Sequence, residues 1–173
     1  MRVSSHSRLQ PCYNVLMNPT ENLYRFIEAQ NLVVEDFLNE THKSKFETAK
    51  EELMNGQKTS HWMWYIFPQI KGLGKSEMAT KFAISNINEA RDYYNNSVLG
   101  PRLEELVRIV NGIEDKTAVE IFGEVDAMKF LSCLTLFNQV APENQIFIDA
   151  MDKYYEGRRD KKTLKILEDQ ASY

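Results

Sequence analysis

Apolar residues recur at three- and four-residue spacing along most of the chain, the pattern of amphipathic helices. Leu23, Phe26, Ile27, Val33, Val34, Phe37 and Leu38 follow Asn18-Pro19-Thr20-Glu21, which offers an N-cap, a proline at the first helical position and an acid at the third. Ser44-Lys45-Phe46-Glu47 is a capping box, with Phe46, Ala49 and Leu53 on one face and Asn55-Gly56 as a stop. Asn86-Ile87-Asn88-Glu89 opens a helix carrying Ala90, Tyr93 and Tyr94. Pro101 begins another, with Leu103, Leu106, Val107 and Val110 in register and Gly112 past its end. Thr117-Ala118-Val119-Glu120 is a second capping box, closed by Gly123. Periodic stretches follow over Asp126 to Val140, Glu143 to Tyr155 and Lys161 to Glu168.

Strands have little support. No segment alternates apolar and polar over six residues, and both Asn-Gly pairs end helices rather than join β-branched runs. The pattern predicts an all-α fold, a single compact domain of about seven to nine packed helices over residues 19–173. Residues 1–18 hold Arg2 and Arg8 but no acid. They lack amphipathic spacing, so a dispensable extension is favoured over a transit peptide.

Composition narrows the class without naming a chemistry. The 173 residues are 43% apolar and 27% charged, ordinary for a globular chain, and the net charge of −4 argues against a general nucleic-acid surface. Cys12 and Cys133 make no disulfide framework, which points to a reduced, cytoplasmic setting. The longest apolar run, Trp62 to Phe67, is far short of the ~20 residues that span a bilayer. His6, His42 and His61 have no carboxylate or cysteine at ligand spacing, so no metal and no cofactor is expected.

One stretch stands out. Ser60-His61-Trp62-Met63-Trp64-Tyr65-Ile66-Phe67-Pro68-Gln69 holds both tryptophans, and six apolar residues in a row cannot all face one side of a helix. The segment is either a central core helix or the wall of a ligand cavity bracketed by polar groups. Next comes Gly72-Leu73-Gly74-Lys75-Ser76, which reads as a phosphate-holding loop or, more simply, a tight turn with solvated lysines. Arg158-Arg159-Asp160-Lys161-Lys162 is the one basic cluster and reads as a solvated helix start. Glu51-Glu52 and Glu104-Glu105 read as solvated charge on polar faces, and Cys133 lies in an apolar stretch that gives a nucleophile no support.

The tryptophan-rich decapeptide is similar to that of the domain of unknown function 1810 family. So are Phe26-Ile27-Glu28-Ala29-Gln30, Gly72-Leu73-Gly74, Leu99-Gly100-Pro101-Arg102-Leu103, Ile121-Phe122-Gly123, Asp126, Lys129, Ser132, Thr135-Leu136-Phe137 and Asp152-Lys153-Tyr154-Tyr155. The resemblance covers residues 20 to 168 and implies a small all-helical protein without an agreed activity. Two stretches depart from it: Asn31 to Ser44 is longer than expected, and the first eighteen residues are extra.

These residues define a candidate site. Trp62 and Trp64 would wall it, with His61 as the catalytic group able to move a proton near neutral pH. Gln30, Ser60 and Gln69 would read a polar edge, Arg102 would clamp an anion bidentately, and Asp126 and Lys129 would complete the rim. Aromatic walls with cations favour a planar anion such as a nucleotide or ADP-ribose derivative. Whether a reaction follows binding is left open, as is oligomeric state. The alternative is a non-enzymatic helical interaction module that uses the same tryptophans and arginine as anchors on a partner protein.

Overall fold

Side-chain caps set where most helices begin. A computed structural model describes residues 19–36 and 41–172. Helix α1 (Pro19–Asn31) leads into an antiparallel ribbon of β1 (Val33–Asp36) and β2 (Thr41–Ser44), followed by α2 (Lys45–Met54). Two one-turn helices come next, α3 (Met63–Ile66) and α4 (Glu77–Lys81). The remainder are α5 (Ile87–Asn95), α6 (Leu99–Asn111), α7 (Ala118–Phe122), α8 (Glu124–Val140), α9 (Gln145–Tyr155) and α10 (Lys161–Ala171). Both capping boxes form. The Ser44 hydroxyl accepts the Glu47 N–H at 3.2 Å, and the Glu47 carboxylate accepts the Ser44 N–H at 2.8 Å. Thr117 and Glu120 repeat the exchange at 3.2 and 2.7 Å.

The all-α class is what the helical spacing predicts. α8 lies at the centre and is packed by α5, α7, α9 and α10. Its Phe130 meets Phe67 and Phe122 with ring centres 4.8 and 4.7 Å apart. Phe26, Trp62, Phe67, Tyr93, Phe137 and Phe147 are fully buried in the same core. No helix among the described residues is long and apolar enough to cross a membrane.

Some expectations are corrected. The spacing carries the first helix through Leu38, but the chain leaves it at Asn31. Val33 and Val34 are β-branched and favour extended backbone, and pairing with Ser44 and Lys43 supplies the hydrogen bonds a longer helix would have made. The ribbon falls within the Asn31–Ser44 stretch. Among the described residues there are ten helices rather than seven to nine, because α3 and α4 are too short to show a period.

α6 starts at Leu99, before Pro101. The Asn96 side chain accepts the N–H groups of Val98 and Leu99 at 2.9 and 3.1 Å, which moves the start upstream. Proline then sits within the first turn, where a missing N–H costs nothing. Gly100 is dictated by contact, since a Cβ there would stand 1.9 Å from the Tyr94 carbonyl oxygen. The proposed extension, residues 1–18, lies outside the described residues, and His6 and Cys12 with it.

Candidate functional site

The two tryptophans have different surroundings. Trp62 is wholly buried, and its indole N–H donates to Glu52 Oε2 at 2.7 Å. The same carboxylate accepts the Ser60 hydroxyl at 2.5 Å and the N–H groups of Thr59 and Ser60 at 2.8 and 3.1 Å. Partial burial pushes the Glu52 carboxyl up, but these donors outweigh it and hold it below its ordinary value. Glu52 is therefore a hub that fastens the loop before α3 to α2, not the solvated charge its sequence position implies. Glu104 departs from that reading too, accepting the Tyr94 hydroxyl at 2.6 Å and the Asn144 amide at 2.8 Å. Ser60 and Trp62 are bound into this framework.

Gln30 and Arg102 form a second, separate group. Gln30 is buried on α1; its amide donates to the Tyr65 carbonyl at 2.9 Å and the Tyr93 hydroxyl at 3.3 Å. Its oxygen accepts from Arg102 Nη1 at 3.1 Å, and the guanidinium lies 4.6 Å from the Phe46 ring centre. The bonds tie α1, α3, α5 and α6 together across the core. His61 is exposed, and its carbonyl accepts the Tyr65 hydroxyl at 3.3 Å.

Trp64, Gln69 and Lys129 meet elsewhere, on a groove of about 1030 Å³. Trp64 is half-buried, with Lys129 Nζ 4.9 Å from its ring centre. Asp126 stands behind this pair, bonded to Lys129 at 2.7 Å and to Lys58 at 2.8 Å. Lys58 in turn lies 5.2 Å from the Trp62 ring centre. Burial raises the Asp126 carboxyl, and the two ammonium groups more than reverse that, leaving it lowered and ionised. Val125, Met128 and Leu131 of α8 add apolar lining.

The groove also joins two motifs that the sequence presents as unrelated. Gly74, Lys75 and Ser76 line it before α4, and Arg158, Arg159, Lys161 and Lys162 line it before and within α10. The loop is tightly built: a Cβ on Gly74 would lie 2.5 Å from Ala79 Cβ, and the Ser76 hydroxyl accepts the Ala79 N–H at 3.1 Å. It contributes a lysine and a shape. Asp160 anchors the other side, accepting the Ser132 hydroxyl at 2.9 Å and the Thr163 N–H at 3.1 Å, while Thr135 receives its N–H at 2.9 Å. Arg158 donates to the Tyr155 carbonyl, and Arg159 to Asn138. Among the described residues, Lys75, Arg158, Arg159, Lys161 and Lys162 make no ion pair.

The groove thus sets five cations without ion-pair partners, and the carboxylates of Glu124 and Asp160, around a half-buried indole. No histidine or cysteine lines it. Cys133 is 1% exposed, and burial pushes its thiol well above the ordinary value. Among the described residues no three histidine, cysteine or carboxylate groups gather as a metal site. Glu52 and Glu104, and the meeting of the loop with the Arg158–Lys162 cluster, were missed from sequence. The only available signal was the pairing of lysine and arginine with glycine-rich or turn sequence, which is weak alone.

The family described as "Protein of unknown function (DUF1810)" matches residues 20–167. The crystal structure of the conserved hypothetical protein Rv1873 from Mycobacterium tuberculosis superposes with a TM-score of 0.75 at 37% identity, over 85% of this chain and 96% of that one. No curated protein matches.

Proposed function

The chain belongs to the DUF1810 family, and we propose that it binds a small planar anion, a nucleotide or an ADP-ribose derivative, in the groove beside Trp64. The observation that carries this reading is the gathering of cations without carboxylate partners around a concave, largely apolar surface with a half-buried indole. Apolar walls with a few placed polar groups suit small molecules, and guanidinium and ammonium groups suit phosphate. The reading is binding, with no reaction assigned, because no histidine or cysteine lines the groove to serve as a proton-transfer group or nucleophile.

The occupant is a single small molecule rather than a nucleic-acid strand, in keeping with the overall charge of −4. A cytoplasmic location goes with it, supported by the free thiol of Cys133. Titration of the full chain with ADP and ADP-ribose at low salt tests the proposal. Saturable binding, quenching of Trp64 fluorescence and a thermal shift are expected; ligand at 100 times its Kd stabilises by about 2.7 kcal/mol. Absence of saturable binding by either compound overturns it.

A protein partner is the second reading, favoured by Val125 and Met128, which are 68% and 70% exposed on the same rim. Exposed apolar surface of this kind is common at interfaces. Loss of a nucleotide response together with a stable self-association or partner complex that Met128→Glu abolishes would favour it.

A further inference from the structure

A second cavity, of about 460 Å³, adjoins the groove and shares Leu73, Lys161 and Lys162 with it. Its other lining residues are Gly72, Lys165 and Ile166. Lys165 is paired with Asp169 at 2.8 Å, so beyond the shared lysines this cavity adds an apolar surface and one neutralised ammonium. The free cations instead collect around the shared wall: Lys161 and Lys162 belong to it, Lys75 follows Leu73 by two positions, and Arg159 precedes Lys161 by two. Trp64 lines the larger cavity and not the smaller one. The wall common to the two cavities thus carries two unpaired lysines, while Lys129 beside Trp64 and Lys165 beside Ile166 are each paired with a carboxylate.

Resting on the reading that the groove binds a planar anion, we infer that its ligand carries its charge in the middle: a nucleoside diphosphate whose terminal phosphate bears a second sugar or ring. The base stacks against Trp64 in the larger cavity. The diphosphate crosses the shared wall over Leu73, held by Lys161 and Lys162. The second group occupies the smaller cavity beside Ile166. A mononucleotide leaves that cavity empty, and a triphosphate places its greatest charge where Lys165 is already paired.

Calorimetric titration of the full chain with ADP-ribose, ADP and ATP tests this. ADP-ribose is expected to bind at least tenfold more tightly than ADP, and more tightly than ATP. Lys165→Trp, at an exposed position lining only the smaller cavity, should lower ADP-ribose affinity to that of ADP and leave ADP affinity unchanged. Lys165→Met removes the charge without the bulk and should keep the tenfold preference. Equal binding of ADP and ADP-ribose, or tightest binding of ATP, overturns the two-cavity ligand while leaving groove binding intact. Absence of binding by all three overturns both.

Discussion

Lys129 Nζ stands 4.9 Å from the Trp64 ring centre and 2.7 Å from Asp126 Oδ1, so the side wall of the groove is an indole and an ammonium with a carboxylate behind them. A cation over an indole stabilises by about 0.5–1 kcal/mol at exposed sites, and the carboxylate keeps the ammonium in place. Trp62 lies in the same short segment and has no such opening. Its face belongs to the core.

That difference predicts opposite outcomes for two truncations. Trp62→Ala should cost about 3–5 kcal/mol, the usual range for deleting a buried aromatic. Trp64→Ala should cost clearly less, because part of the ring is already in contact with solvent, and should abolish ADP-ribose binding. Urea denaturation of both variants, with titration of the second, checks the pair. Equal destabilisation would show that Trp64 is a core residue.

Glu52 predicts a pH dependence. Its carboxyl is lowered in the folded chain, so the ionised form contributes stability that is complete above the ordinary value of 4.5 and is lost as pH falls through the lower folded value. Glu52→Gln cannot accept all four donors. The variant should be less stable at pH 7 by about 1–3 kcal/mol, the cost of leaving hydrogen-bonding groups unmatched. The gap to the native chain should narrow as pH drops below about 4.5. Urea midpoints measured from pH 7 to pH 3 will show whether the two curves converge.

Arg102 contacts Gln30 and the Phe46 ring and does not line the groove. Arg102→Lys should therefore weaken folding by about 1 kcal/mol, through the lost hydrogen bond and stacking. Its ADP-ribose affinity should match that of the native chain. A fall in affinity without a fall in stability would return Arg102 to the binding site.

Gly100→Ala should destabilise by about 1–3 kcal/mol or more despite the better helix propensity of alanine. The added methyl meets the Tyr94 carbonyl oxygen, and relief requires α5 and α6 to separate. A melting curve unchanged from the native chain would refute the contact.

Most helix starts were readable because their signals are local. Ser44, Asn86 and Thr117 cap the helices their side chains predict, since a capping bond needs only the next three residues. Val33 and Val34 misled because their spacing fits a helix as well as a strand, and the pairing that decides between them comes from Lys43 and Ser44. Glu52 was illegible for a related reason: whether a carboxylate on a polar face meets water or four donors depends on a loop that arrives later in the chain. The groove is the strongest case. Lys75 and Lys161 each sit in sequence that alone describes a solvated turn, and only the docking of α10 on α8 through Asp160, Ser132 and Thr135 makes them neighbours.

This docking also sets an order of assembly during synthesis. Trp64 and Lys75 leave the ribosome early, and the apolar core from α1 through α8 is available for burial before α10 has been made. Lys161 and Lys162 follow all of those helices in the chain. A nascent chain can thus bury much of its hydrophobic centre before the cations of α10 complete the wall of the groove.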